Sequence, residues 1–189
     1  MRIRHCRKDR AMIAALASAI VAIDLAVPAL REALGSSADW RMERRLEGST
    51  RPLVTSGVVD CVAGEGITWR VLSPFESSIS MTTDSMIFAD EDGERVKPLG
   101  DMPHYAEIRR RTDAFAAGDV KAFDGLFTLE AELAEDGEGW VVRMTPDVRA
   151  MRRLFSSIEL SGSATLTNAV MRTGDGGVSR IEFSRRERR

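Results

Sequence analysis

The sequence predicts a mostly β, α+β protein: an open, strongly curved antiparallel β-barrel of about ten to eleven strands, with helices covering its concave face. Three observations carry this. Runs of alternating apolar and polar residues recur through both halves of the chain, bounded by Gly, Pro, Asp and Ser. Their connections are short enough for hairpins, so the strands follow one another as meanders. One stretch with helical period interrupts them, and it must lie across a sheet face or a barrel mouth.

The first thirty residues differ from the rest. Arg2, Arg4, Arg7, Lys8 and Arg10 form a positive head, and Ala11 to Ile23 is an uncharged apolar run. Ala26-Val27-Pro28-Ala29 then offers residues that a signal peptidase reads. That layout predicts a secretory signal peptide over 1–29, cleaved after Ala29. The alternative is an uncleaved anchor over Ala11 to Leu30, with Asp24 inside it at a cost of roughly 2–3 kcal/mol if central. Cys6 precedes the apolar run, so there is no lipobox and the chain is not read as a lipoprotein. Cleavage would remove five basic and two acidic side chains, leaving a net charge of -5 on 30–189. It would also leave Cys61 as the one cysteine, read as a small buried hydrophobe.

Ser36-Ser37-Ala38-Asp39 supplies candidate N-caps for a helix over Trp40 to Leu46 that ends at Gly48, with Trp40 docking on the sheet. Val54 to Val62 is the first strand of a meander, and Gly64-Glu65-Gly66 supplies its turn. Ile67 to Leu72 is the second strand. Ser73-Pro74 breaks it, and Phe75 to Met81 resumes with Ile79 and Met81 on one face. Ser85 to Ala89 and Glu94 to Leu99 are strands on either side of the turn Asp90-Glu91-Asp92-Gly93, and Pro98 confines the second to an edge or an end.

The period then changes. Asp101-Met102-Pro103 starts a helix that runs to Ala117 before Gly118. Tyr105, Ile108, Thr112 and Phe115 form its apolar stripe, with Arg109, Arg110, Arg111 and Asp113 on the other faces. Val120 to Leu126 reads as a further short helix. Period two returns at Phe127, Leu129, Ala131 and Leu133, and again at Trp140, Val142 and Met144, with Pro146 ending that strand. Val148 to Phe155 reads as a helical turn. Ser157 to Ser161, Ala164 to Met171 and Val178 to Phe183 complete the sheet, and Gly174 to Gly177 turns between the last two. Arg185 to Arg189 is a charged tail.

Composition narrows the chemistry. At 189 residues the chain suits one domain, and its 43% apolar and 30% charged shares are those of a soluble globular protein. A formal charge of -2 gives no basic field for nucleic acid. After cleavage His104 is the one histidine and has no cysteine near it, so His- and Cys-based metal sites lack ligands. Asp90 to Glu94 lacks the spacing of a calcium loop. Ser56-Gly57 and Ser161-Gly162-Ser163 lack a nucleophile elbow, and Gly174 to Gly177 precedes a strand where a phosphate cradle needs a helix. The chain is read as a non-enzyme with no metal and no cofactor.

What stands out is the inner-face inventory: Trp69, Phe75, Met81, Met86, Phe88, Phe127, Trp140 and Met144 on strands, with Ile108 and Phe115 on the covering helix. Methionines and aromatics suit a surface that accepts irregular apolar shapes. A barrel of ten or more strands is wider than inward side chains can fill, so it holds a ligand, a plug or water. These ten residues are the candidate lining of a hydrophobic cavity.

The string Arg51-Pro52-Leu53, Ser56-Gly57, Gly66-Ile67, Trp69-Arg70 and Pro74-Phe75 resembles the outer-membrane lipoprotein carrier family (LolA-like). Gly118-Asp119, Phe127 to Leu129, Trp140-Val141-Val142 and Gly174 to Phe183 match its second half, so the resemblance covers Trp40 to Phe183. The family's Gln is absent from Trp40-Arg41-Met42-Glu43. Its Arg-Pro turn before the Trp strand is replaced by Ala63-Gly64-Glu65-Gly66, as in a divergent branch. The resemblance implies a monomeric periplasmic carrier that shields acyl chains of a lipoprotein or other lipid. It also implies an inner-membrane lipid exporter and an outer-membrane acceptor as partners. The alternative is a non-carrier β scaffold anchored by an uncleaved N-terminal helix.

Overall fold

The computed structural model describes residues 22, 25–62, 65–117, 119, 121–135 and 137–186. The basic head and most of the apolar run that follows it lie outside them, as do Ala63-Gly64, Gly118, Val120, Asp136 and the last three residues of the charged tail.

Eleven strands form one antiparallel sheet: β1 (Ser37–Arg45), β2 (Leu53–Val62), β3 (Gly66–Ser73), β4 (Ser77–Met81), β5 (Ser85–Asp90), β6 (Gly93–Pro98), β7 (Phe127–Leu133), β8 (Trp140–Pro146), β9 (Ser157–Gly162), β10 (Leu166–Arg172) and β11 (Val178–Arg185). Their order is β6-β5-β4-β3-β2-β1-β11-β10-β9-β8-β7. Two meanders are thus joined by a single long-range pairing, β1 with β11. Among the described residues three α-helices accompany the sheet: α1 (residues 25–33), α2 (Pro103–Ala116) and α3 (Arg149–Arg152). The sheet is an open, curved barrel with β6 and β7 as its edges.

Because successive side chains alternate, the register sorts residues into two faces. One row reads Phe88, Ile79, Trp69, Val59 and Ala38 from β5 to β1. Another reads Thr55, Met42, Ile181, Ala169, Leu160, Val142 and Ala131 from β2 to β7. Both belong to the inner face, where the helices pack. The outer face carries the charges, among them Arg70 paired with Asp60 and Arg143 with Glu159 at 3.0 Å.

The segment Trp40 to Leu46 is the main departure: it is strand, within β1. Ala38, Trp40 and Met42 alternate with Asp39, Arg41 and Glu43, and β2 and β11 satisfy its backbone on both sides. Trp40 is 3% exposed and sits at the centre of the sheet. Lys121 to Leu126 forms successive turns instead of a helix, with amides of Ala122, Asp124 and Leu126 bonding three residues back and Gly125 at φ 73°.

Two glycines are fixed by close approach. A Cβ on Gly57, at a bulge between β2 and β3, would lie 1.9 Å from the Arg70 carbonyl oxygen. Gly66 has φ 146°, and a Cβ there would lie 2.1 Å from the Met81 oxygen. Gly57→Ala is expected to lower stability by about 2–3 kcal/mol, because backbone must shift to admit one methyl. Urea denaturation checks this, and an unchanged midpoint would refute the close approach.

Candidate functional site

The inner face divides into two halves with different covers. Over β7 to β10 it is roofed by the N-terminal helical segment. Ala22, Ala26 and Ala29, all at most 2% exposed, pack with Trp140 and Val142, and Leu30, Leu133, Met144, Leu160 and Leu166 complete the cluster. Spacing of four and three residues puts the alanines on one helix face, and their small size lets the helix approach the indole. Trp140 is 0% exposed and donates its Nε1–H to the Ser163 carbonyl at 2.7 Å.

Over β1 to β5 and β11 the floor is open. Trp40 and Trp69 stack with ring centroids 4.8 Å apart, and Phe183 meets Trp69 edge-on at 6.1 Å. Ile67, Trp69, Met81 and Phe88 are half-buried, and Ile79 is 45% exposed. A cleft of about 430 Å³ opens between the end of α1, the β2–β3 turn and α2. Its walls include Leu34, Val62, Ile67, Thr112, Ala116 and Arg109.

Arg109 is not on an outer face of its helix. It is 4% exposed, and its Nη1 donates to the Met81 carbonyl at 3.0 Å and the Glu65 carbonyl at 3.4 Å. Its Nε donates to both carboxylate oxygens of Asp113, at 3.0 and 2.8 Å. One buried guanidinium thus ties α2 to the end of β4 and to the β2–β3 turn. Arg111 ties the other flank, donating to the Ala122 and Asp124 carbonyls at 2.6 and 2.9 Å. Ile108 packs with Leu126, Phe127 and Met151, and Phe115 lies 5.8 Å from Phe123. α2 therefore rests on polar latches along one flank and an aromatic cluster along the other.

The ten sequence-predicted lining residues fall into groups. Trp69, Met81 and Phe88 lie on the open floor, and Met86 is buried beside them. Met144 and Trp140 lie under the N-terminal helix, and Ile108, Phe115 and Phe127 belong to the seat of α2. Phe75 is misplaced in the sequence reading. It lies in the turn between β3 and β4, past the end of the ladder, and is 79% exposed. Sequence reasoning missed Arg109 and the place of Trp40 at the centre of the floor. The alternation of Ala38, Trp40 and Met42 was the available signal for Trp40.

Two side chains with shifted proton affinity mark the faces. On the outer face, hydrogen bonds from Ser37 and Arg70 hold the Asp60 carboxyl below its usual range. Its contribution to β2–β3 pairing is therefore present above the ordinary carboxylate pKa and is lost as the pH falls through the lowered one. On the inner face, burial pushes the Cys61 thiol up to about 11, and the Asp60 carboxylate adds to it. Cys61 is accordingly expected to alkylate about 100-fold more slowly than a free thiol at pH 8. Peptide mapping after iodoacetamide treatment separates it from Cys6, and labelling at the free-thiol rate would contradict its burial. Among the described residues no group of three or more His, Cys, Asp or Glu is placed to hold a metal ion, and His104 is exposed. No described helix is long and apolar enough to cross a membrane.

No protein-family profile and no curated protein matches the chain. Solved structures similar to it include a LolA superfamily protein from Nitrosomonas europaea, with 10% identity over 87% of this chain and 94% of that one and a TM-score of 0.43. A putative outer membrane lipoprotein-sorting protein domain from Vibrio parahaemolyticus aligns with 12% identity over 85% of this chain and 89% of that one, with a TM-score of 0.38. The Pseudomonas aeruginosa MucA/MucB complex aligns with 13% identity and a TM-score of 0.42 over 87% of this chain, which spans 56% of that one. At these identities the likeness is one of fold alone.

Proposed function

We propose that this chain is a monomeric periplasmic carrier that takes acyl chains of a lipoprotein or other lipid into the apolar cleft between α2 and the inner face of the sheet. It would receive them from an inner-membrane exporter and release them to an outer-membrane acceptor, with no covalent chemistry, metal or cofactor. The observation that carries this reading is the half-roofed inner face. Aromatic and methionine side chains remain partly exposed on the side away from solvent-facing charge. A cleft of about 430 Å³, near the small end of ordinary ligand sites, meets this floor at Ile67. Burying a lipid tail contributes about 0.8 kcal/mol per methylene, so one chain is held without any specific contact. A bulkier cargo requires α2 to move outward, and its latches are few enough to open.

Displacement of a fluorescent fatty-acid probe tests this on the full chain. Ile67→Glu puts a carboxylate in the cleft wall and is expected to weaken probe binding at least about tenfold while leaving the fold intact. Equal affinity in wild type and variant would place the probe elsewhere.

One observation favours a second reading, an anchored β scaffold. The alanine face of the N-terminal helix is buried on Trp140, so removal of residues 1–29 would strip the roof from that half of the sheet. On this reading residues 22–33 stay with the barrel. The intact mass of the exported chain checks it, and a chain beginning at Leu30 would contradict it.

A further inference from the structure

The latch between α2 and the sheet leaves part of its guanidinium unused. Arg109 is 4% exposed, with Nε committed to Asp113 and Nη1 to the Met81 and Glu65 carbonyls. Its Nη2 makes no hydrogen bond among the described residues. The Trp40 indole nitrogen and the Thr55 hydroxyl also lack a partner, but those two atoms are sealed from access and Nη2 is not. Because Arg109 lines the cleft of about 430 Å³, its free N–H groups open into that space. Thr112 and Asp113 stand three and four positions further along the same helix face and line the same cleft. The Thr112 hydroxyl is likewise unbonded among the described residues and unsealed. Leu34, Val62, Ile67 and Ala116 supply apolar wall beside them.

A guanidinium N–H kept from bulk water is destabilising unless an acceptor meets it, and a guanidinium can only donate. The cleft therefore fits a molecule with an acceptor at one end and hydrocarbon beyond it. Charge decides which acceptor. Both carboxylate oxygens of Asp113 accept from Arg109 Nε, at 3.0 and 2.8 Å, so the pair is neutral as a unit. A second carboxylate on Nη2 would lose hydration in the cleft and face Asp113 there. Arg31, exposed and bonded to the Ala116 carbonyl, is not among the cleft walls and does not offset this. A neutral carbonyl keeps the hydrogen bond and avoids the repulsion. We propose that Arg109 Nη2 and the Thr112 hydroxyl hold the carbonyl of an ester- or amide-linked acyl chain, and that Asp113 turns free fatty acid away. This rests on the carrier reading and adds to it the head group that the cleft accepts.

The test compares four ligands of one chain length: methyl dodecanoate, N-methyldodecanamide, dodecyl methyl ether, and dodecanoate at about pH 8, where it is ionised. Each displaces a pyrene-labelled acyl methyl ester from the full chain. Wild type is expected to bind the better of the ester and the amide about tenfold more tightly than the ether, and about tenfold more tightly than dodecanoate. Whichever of the two binds more tightly gives the linkage of the cargo. Asp113→Asn keeps the shape and removes the charge, and is expected to raise dodecanoate affinity at least about tenfold with ester affinity nearly unchanged. A merely structural role for Asp113 would move all four ligands together. Thr112→Val, nearly isosteric, is expected to reduce the carbonyl-over-ether ratio partway, and it carries the test if Asp113→Asn fails to fold. Equal affinities in wild type, a wild-type preference for dodecanoate, or ratios that survive both variants overturn the recognition point and leave the carrier reading standing. Displacement by none of the four overturns both.

Discussion

Trp140→Ala is expected to destabilise the protein by about 3–5 kcal/mol, the largest effect of any single substitution on the inner face. The indole is fully buried beneath Ala22, Ala26 and Ala29 and anchors its N–H on the Ser163 carbonyl. Truncation leaves a cavity that three alanines cannot fill, since none has a side chain long enough to collapse into it. It also leaves the Ser163 carbonyl without that donor. The N-terminal helix should therefore loosen along with the drop in global stability. Urea denaturation combined with amide exchange over residues 25–33 checks both. Phe75→Ala is the matching control, because a side chain 79% exposed in a turn should change stability by no more than about 0.5 kcal/mol. Comparable losses in the two variants would contradict the assignment of Trp140 to the sealed half.

Arg109→Leu should release α2. Leucine keeps helix propensity and much of the aliphatic stem, so the change isolates the guanidinium. Its bonds to the Met81 and Glu65 carbonyls vanish, while Asp113, half exposed, rehydrates freely. Charge-assisted hydrogen bonds of this kind are worth about 1.5–3 kcal/mol, so α2 amides should exchange about 10- to 100-fold faster. Because α2 forms one wall of the cleft, probe on-rates should rise with it. Unchanged exchange in α2 would show that the aromatic seat around Phe115 and Ile108 holds the helix without Arg109.

Much of the sheet was legible in the sequence because period two is a local signal. Thr128, Glu130 and Glu132 alternating with Leu129, Ala131 and Leu133 leave one choice of inward face, and in the observed β7 Ala131 and Leu133 are half-buried on it while Leu129 is 42% exposed. β1 was misread for the opposite reason. Ser36 to Asp39 look like helix caps, and the residues that make this segment a strand are Phe183, Ile181 and their neighbours, far along the chain. Phe75 shows a second limit: alternation identifies a face but does not tell where the ladder stops. Arg109 shows a third. On a helical wheel it counts as polar surface, and its burial follows from two carbonyls on other elements that become its acceptors only once the sheet has curved. The roof over Trp140 was hidden because residues 22–29 carry the composition of a leader as well as that of a small-faced helix.

On the proposed function, the open half of the inner face is a surface for another molecule's hydrocarbon. Native mass spectrometry of the full chain purified from a lipid-containing host tests it most directly. The expected spectrum holds a second species heavier by one lipid mass, lost on delipidation and restored by added acyl lipid. A single unliganded mass that added lipid does not change would contradict it.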